Sequence, residues 1–200
     1  MSAVYQSSQA IRALIDALCV ATDCVTGHQV AVQPSGHRPG GIHALTVGRT
    51  AGVSEPVPLR AKAGGPSGLM LDIVHRFVIE IDQTAESGRR QRAMTVAYEY
   101  RILDVQETEL LVYHWQPGSI ARGPDFPHIH VSASLTAKTS ATVSQRLSLD
   151  KRHVPTGIVT LADVVRTLIA EFGIAERRRD WPARLARAEI VLRRSFVAGS

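Results

Sequence analysis

The first part of the chain repeats apolar residues at the spacing of an α-helix. An apolar stripe with a period of three to four residues buries one face of a helix against a core. Ser7 and Ser8 precede this stripe as candidate N-caps. The pattern predicts an amphipathic helix over residues 8–20, with a core-facing stripe formed by Ile11, Leu14, Ile15 and Leu18.

The middle of the chain alternates apolar and polar positions, which is the period of a strand with one buried face. Residues 69–82 alternate in this way, and residues 94–103 and 110–115 predict a hairpin. Residues 126–136 and 143–149 continue the series of extended segments. Nothing in the pattern is typical of a parallel crossover unit, so we expect an antiparallel sheet of four to six strands.

Two helices are predicted at the C-terminal end. Thr160 and Asp163 have the spacing of a capping box, and the apolar stripe behind them ends at Gly173, which predicts a helix over residues 161–172. Asp180 can cap a last helix. The apolar face of that helix is Trp181, Leu185, Ala188 and Leu192, and its outward positions are Arg184, Arg187 and Arg194. The predicted fold class is therefore α+β, with the sheet flanked by an N-terminal helix and two C-terminal helices.

Composition and length favour one folded unit. The 200 residues, of which 44% are hydrophobic and 20% charged, suffice for one buried core, so we expect a single domain over residues 1–200. Residues 34–68 hold eight of the fifteen glycines and five of the ten prolines, and only residues 42–48 can form a strand there. We expect this stretch to be a functional loop or a mobile linker.

The positive charge is concentrated at the C-terminal end. The net charge is +5, and residues 175–200 contribute seven arginines against three acidic residues, a net +4. Arginine binds phosphate and carboxylate groups in a bidentate manner, so this basic helical extension can contact a nucleic acid or an acidic partner. It can equally be the solvated face of a helix.

The chain has no pattern of a membrane or secreted protein. Arg12 and Asp16 interrupt the first twenty residues, unlike the unbroken apolar block of a signal peptide. No uncharged apolar run approaches the roughly 20 residues that cross a bilayer. Cys19 and Cys24 are too few for a disulfide framework. These features predict a cytoplasmic protein without a membrane partner.

Four of the eight histidines lie in one stretch of the chain: His114, His128, His130 and His153. His128 and His130 are two residues apart in an extended segment, so their side chains point to the same face, with the apolar residues Ile129 and Val131 packed toward the core. His114 joins this pair only if the strand register allows it. His153 can approach from the loop before the Thr160 helix.

Several roles are open to these imidazoles. Three or four of them can bind zinc or another late first-row metal, with His128, His130 and His114 as ligands. Without a metal, a histidine pair can divide the acid and base roles of ribonucleotide cleavage, in which the 2′-hydroxyl is the nucleophile. The histidines can also be surface or packing residues. His75 lies on the apolar face of its strand and is predicted to be hydrogen-bonded in the core.

Aromatic and basic residues accompany the histidines. Tyr113 and Trp115 lie in the same region as Arg101 and Arg122. Aromatic rings beside guanidinium groups can stack on exposed bases, and a guanidinium group can hold phosphate. Aromatic residues are also favoured in strands for packing alone.

The region around the histidines resembles a known family. The resemblance is carried by the block Phe126-Pro127-His128-Ile129-His130, the segment Tyr113-His114-Trp115, the tyrosine-rich strands and the amphipathic helix that follows. Over residues 95–170 this layout is similar to the TumE-like family of small toxin proteins from bacterial toxin–antitoxin pairs. The chain differs in its greater length, in having one residue rather than two between the histidines, and in its additional terminal helices. The resemblance implies an activity on RNA and a cognate antitoxin as partner.

Three hypotheses for function follow. The first is a ribonuclease-like toxin component that uses His128, His130, His114 and His153, with Arg101 and Arg122 on phosphate and Tyr113 and Trp115 on bases. The second is a non-catalytic module that binds nucleic acid or protein through its basic helix. The third is a metal-dependent hydrolase of a small molecule, with residues 34–68 as its lid. The cofactor is accordingly none or zinc.

Overall fold

The computed structural model describes residues 2–33, 41–48, 53–82, 90–118, 124–132 and 153–196, with the backbone alone at residues 2–10, 32–33, 81–82 and 90–91. The elements of this part of the chain are α1 (Ser2–Asp23), β1 (Val30–Gln33), β2 (His43–Val47), β3 (Val57–Arg60), β4 (Pro66–Asp82), β5 (Arg90–Asp104), β6 (Glu109–Trp115), β7 (His128–Val131), β8 (Val154–Pro155), α2 (Leu161–Ala170) and α3 (Trp181–Ser195).

The strands form one antiparallel sheet in the order β1-β2-β4-β5-β6-β7-β8, with β3 paired to β4. One helix precedes the sheet and two follow it, which confirms the predicted α+β class. In the described part of the chain the sheet has eight strands instead of four to six, because short segments such as β1 and β8 join its edges. The predicted strand over residues 143–149 lies outside the described residues.

The glycine- and proline-rich stretch of residues 34–68 is part of the sheet where it is described. It contains the expected strand β2, but also β3 and the start of β4, so the prediction of a loop is wrong there. Gly64 and Gly65 adopt positive φ angles of 89° and 79° in the turn between β3 and β4, a conformation that glycine adopts without strain. Pro58 is tolerated because β3, within the described residues, pairs with β4 alone.

Helix α1 begins at Ser2, well before the predicted start at residue 8. Ser7 and Ser8 therefore lie inside the helix and are not its caps. Residues 2–8 contain no glycine or proline. Serine destabilises a helix by only about 0.5 kcal/mol relative to alanine, so the helix can extend through these residues. Its C-terminal half packs into the core through Leu14, Ala17, Leu18 and Ala21.

The two faces of the central strands have different surroundings. One face, here called the helix face, packs against α1 and α3, which pack in turn against α2, and it carries Ile73, Phe77, Tyr98, Tyr100 and Ile102. Because side chains alternate along a strand, the residues between these point to the other face, here called the histidine face. The core thus lies between the helices and one side of the sheet.

His75 lies on the helix face and is fully buried. Its Nδ1 lies 2.7 Å from the Tyr100 hydroxyl and its Nε2 lies 3.0 Å from Thr95 Oγ1. Burial lowers the pKa of His75 to about 3, so the ring is neutral at physiological pH. The prediction of a hydrogen-bonded core histidine is confirmed.

The capping box of α2 forms as predicted. Asp163 N–H donates to Thr160 Oγ1, and Thr160 N–H donates to the Asp163 carboxylate. Asp180 occupies the N-cap position of α3, but its side chain caps no backbone N–H and instead accepts from the Arg184 guanidinium. The predicted capping role of Asp180 is therefore wrong.

Helix α3 is part of the core and not an extension. Its face of Leu185, Ala188 and Leu192 is buried, as expected. Several of its arginines, and those just before it, form ion pairs within the chain: Arg177, Arg178 and Arg184 with Asp23, and Arg193 with Glu189 and Asp163. Arg184 therefore does not simply face solvent. Among the described residues, no helix combines the length and apolar character needed to cross a bilayer.

Candidate metal centre

The pairing of β5, β6 and β7 places the histidines next to one another. His114 lies directly opposite His128 across the β6–β7 pair, and His130 lies opposite Val112. His128 and His130 are two residues apart in β7, so their side chains point to the same face. All three therefore project from the histidine face, and the register brings His114 into the group.

The ring nitrogens of these three residues converge. His128 Nε2 lies 2.8 Å from His130 Nε2 and 3.4 Å from His114 Nδ1. One ligand atom from each of the three rings lies within 4.8 Å of the other two. Three imidazoles that meet at their nitrogens, and not at their carbon edges, have the arrangement of a metal-ligand set.

His153 lies at the exposed side of this cluster, just before β8. Its ring centroid is 4.5 Å from that of His130 and 4.8 Å from that of His128. Pairing of β8 with β7 holds this segment beside the other histidines. All four histidines that the sequence singled out are therefore neighbours.

His128 is the buried member of the cluster, with 1% of its surface exposed. Ile129 and Val131 are only partly buried, so the expected arrangement, with the imidazoles outside and the apolar residues inside, is wrong for His128. Its Nδ1 lies 2.9 Å from the Phe126 carbonyl oxygen. Since a carbonyl only accepts, Nδ1 carries the proton, and the neutral ring presents the lone pair of Nε2 to the cluster.

The cluster keeps His130 neutral. Burial, and after it the neighbouring imidazoles His128, His153 and His114 in that order, lower the pKa of His130 to about 4. A neutral imidazole is the form that binds a metal ion. His130 is thus in its ligating form at physiological pH.

The residues predicted to bind substrate are not gathered at the cluster. Tyr113 and Trp115 alternate with His114 and so point to the helix face, where they pack against the core. Arg101 is on the histidine face, but its guanidinium group donates to the carboxylate of Asp72 through Nε and Nη2. It is therefore not free to hold a phosphate. Arg122 lies outside the described residues.

Glu99 is a neighbour of the cluster that the sequence reasoning missed. It lies opposite His114 across the β5–β6 pair, and its Oε2 is 3.9 Å from His114 Nε2. The available signal was its spacing of two residues from Arg101, which puts both side chains on one face of β5. That signal needs the hairpin register, which shifts between Ile102 and Leu103.

Comparison of the chain with known protein families, with curated proteins and with solved structures finds no match. The resemblance to TumE-like toxins therefore stays a prediction.

Proposed function

We propose that this protein is a metal-dependent hydrolase whose metal ion is held by His114, His128 and His130. The observation that carries the proposal is the convergence of their ring nitrogens. A tetrahedral zinc ion with Zn–N bonds of about 2.0–2.1 Å holds its nitrogens roughly 3.3 Å apart. The 2.8 and 3.4 Å separations in the cluster bracket that value.

The number of ligands favours a catalytic site over a structural one. Three protein ligands leave the fourth position of a zinc ion open for water, whereas structural zinc sites are closed by four. Coordination lowers the pKa of such a water to about 7 and supplies a nucleophile at neutral pH. His114 and His130 are partly exposed, so a substrate can reach this position from solvent.

Hydrolysis at this site has a simple proton balance. The oxygen of the ionised water bonds to the electrophilic carbon or phosphorus of the substrate, and the bond to the leaving group breaks with its electron pair. The proton lost by the water returns to the leaving group. His153 is exposed and adjacent to His130, and it is placed to accept and return that proton.

The metal-free ribonuclease is the weaker candidate on geometric grounds. In-line displacement at phosphorus puts the entering and leaving oxygens on opposite sides, so its acid and base must act from opposite directions. The nitrogens of His128 and His130 instead point at one place, 2.8 Å apart. RNA stays a candidate substrate for the metal-dependent reaction, and a cognate antitoxin stays a predicted partner.

The binding-module hypothesis depends on free arginines at the C-terminal end. The single carboxylate of Asp23 pairs with three of these arginines, Arg177, Arg178 and Arg184. These contacts favour the interpretation of that surface as a network of ion pairs within the chain. The lid proposed for the hydrolase has weak support, because β2 and β3 of residues 34–68 belong to the sheet.

The test is a zinc titration of the chelator-stripped full chain, followed by hydrolysis assays with p-nitrophenyl acetate, bis(p-nitrophenyl) phosphate and a labelled RNA. The variants are His128→Ala with His130→Ala and, as matched control, His28→Ala, an exposed histidine outside the cluster. We expect one zinc ion per wild-type chain, zinc-dependent turnover of at least one substrate, and loss of both in the double variant only. Circular dichroism checks the fold.

The outcomes separate the hypotheses. Turnover of RNA alone, dependent on zinc, supports the first hypothesis with a metal added to it. Turnover of RNA without any metal favours the acid–base pair and contradicts our proposal. Wild-type protein that binds zinc no more tightly than the double variant also overturns it.

A further inference from the structure

A row of charged residues crosses the histidine face and ends at the proposed metal centre. It begins with Asp72, which is 1% exposed although it carries a charge. The Asp72 carboxylate accepts hydrogen bonds from Ser54 Oγ and from the Arg101 guanidinium. A buried carboxylate with these partners is a fixed anchor, since removing either partner would leave a desolvated charge.

Arg101 is held in place by this anchor. Its Nε lies 2.7 Å from Asp72 Oδ2, and the same nitrogen lies 3.6 Å from Glu99 Oε1. Its Nη1 lies 3.5 Å from Glu109 Oε1. The guanidinium group thus lies within ion-pair distance of Glu99 Oε1, and the other oxygen, Oε2, is on the side of the histidines.

Glu99 Oε2 faces the outer nitrogen of His114. The distance from Oε2 to His114 Nε2 is 3.9 Å, and His114 Nδ1 is the nitrogen that faces His128. The two nitrogens lie on opposite sides of the imidazole, so Glu99 is behind this ligand and not beside the metal position. An approach of less than about 1 Å brings the pair to hydrogen-bond distance.

We propose that Glu99 is a positioning residue that holds His114 with Nε2 protonated and Nδ1 free to bind the metal. This inference rests on the proposed metal centre. Metal-bound histidines commonly donate their second N–H to a carboxylate, which fixes both the tautomer and the ring orientation. Asp72 and Arg101 supply the rigid support for that carboxylate. The role also accounts for the burial of Asp72 on the histidine face.

The first measurement needs no metal. Long-range ¹⁵N–¹H spectra of the imidazoles in the metal-free full chain at pH 8 report which nitrogen of His114 carries the proton. We expect a single tautomer with Nε2 protonated in the wild type and a mixture of tautomers in Glu99→Ala. Glu99→Gln retains an accepting oxygen and is expected to restore most of the wild-type spectrum.

The second measurement is zinc affinity, by competition with a chelator. Glu99→Ala is expected to weaken zinc binding by roughly 10–100-fold, the usual cost of losing such an outer partner. Glu109→Ala is the matched control, because Glu109 also contacts Arg101 but has no contact with His114 among those described. We expect this control to bind zinc within about twofold of the wild type.

The two failures are distinguishable. If the wild type does not bind zinc, the proposed function fails, and the tautomer spectra still report on Glu99. If the wild type binds zinc but Glu99→Ala matches Glu109→Ala in affinity, the positioning role is overturned. An unchanged His114 spectrum in Glu99→Ala overturns it as well. Should Glu99→Ala fail to fold, Glu99→Val, which also lacks an accepting oxygen and is favoured in a strand, replaces it in both measurements.

Discussion

His75 and the cluster of His114, His128 and His130 lie on opposite faces of the same sheet. Around His75 every proton has an acceptor: Tyr100 O–H donates to Nδ1, and Nε2–H donates to Thr95. Thr95 in turn donates to Ser195 Oγ, whose hydroxyl donates to the Leu192 carbonyl oxygen. This direction follows because a carbonyl cannot donate.

The ring nitrogens of the cluster cannot all be paired by hydrogen bonds in this way. His128 Nε2 has a lone pair, because Nδ1 donates to the Phe126 carbonyl oxygen, yet it faces ring nitrogens of both His130 and His114. An N–H from either His130 or His114 can donate to this lone pair. The ring nitrogen of the remaining histidine then faces it without a hydrogen bond. A cation at the shared position satisfies all three lone pairs together. The hydrogen bonds therefore distinguish His75, whose two ring nitrogens each have a partner, from the cluster, in which three ring nitrogens face one shared position.

The largest expected effect is that of removing one of the proposed metal ligands. His130→Ala is expected to weaken zinc binding by at least about 1,000-fold, more than the roughly 10–100-fold that loss of an outer-shell partner costs. Chelator competition measures the affinity. His75→Gln is the control and is expected to bind zinc as the wild type does. Equal losses in both variants would mean that zinc binds without using the cluster.

The second prediction concerns stability, for which we expect the large effect at His75 and a small one at His153. His75→Ala leaves the Tyr100 and Thr95 hydroxyls without their partner in a buried site and opens a cavity. We expect a loss of about 3 kcal/mol in the free energy of unfolding of metal-free protein. Urea denaturation measures it, and His153→Ala, an exposed histidine, is expected to change it by less than about 0.5 kcal/mol. A loss below 1 kcal/mol for His75→Ala, roughly that of an ordinary surface change, contradicts the assignment.

The third prediction uses the pKa of His75, which burial lowers to about 3 from its ordinary value of 6.5. Between these values the unfolded chain binds more protons, so stability rises with pH across the window and is complete above it. At pH 5 the wild type is expected to have lost about 2 kcal/mol of unfolding free energy from this group.

Comparison with His75→Gln isolates that contribution, because the pKa of His130 is also lowered and acts in the same direction in both proteins. The measurement is urea denaturation of metal-free protein at pH 5 and pH 7.5. A pH dependence that is equal in the two proteins would show that His75 does not titrate in this way.

The difference between the two histidine environments was only partly visible in the sequence. His75 falls on the apolar side of an alternating strand, which sufficed to assign it to the core. The shared face of His128 and His130 follows from their spacing alone. The burial of His128 did not follow, because Ile129 and Val131 make the other face of β7 apolar and so predicted that the histidines would be on the exposed side.

Register explains what the sequence could not provide. The β5–β6 pairing shifts by one residue between Ile102 and Leu103, and without that shift Glu99 would face Tyr113 instead of His114. A slip of one residue moves a side chain to the opposite face of the sheet. The hydrophobic pattern predicted both strands but not this bulge, so the place of Glu99 opposite His114 could not be derived. The separation of Tyr113 and Trp115 from His114 follows from their alternation along one strand and was overlooked.

The smallest expected effect on zinc affinity is that of replacing His153, which lies at the exposed side of the cluster. His153 lies beside His130 by ring distance, but the set of converging nitrogens among the described residues comprises His114, His128 and His130. We therefore expect His153→Ala to weaken zinc binding by less than about tenfold, below the cost of losing a ligand. Turnover per bound zinc is expected to fall further than affinity, because the exposed imidazole is placed to move a proton. An affinity loss equal to that of His130→Ala would instead make His153 a fourth ligand, and a site closed by four histidines has no open position for the proposed hydrolysis.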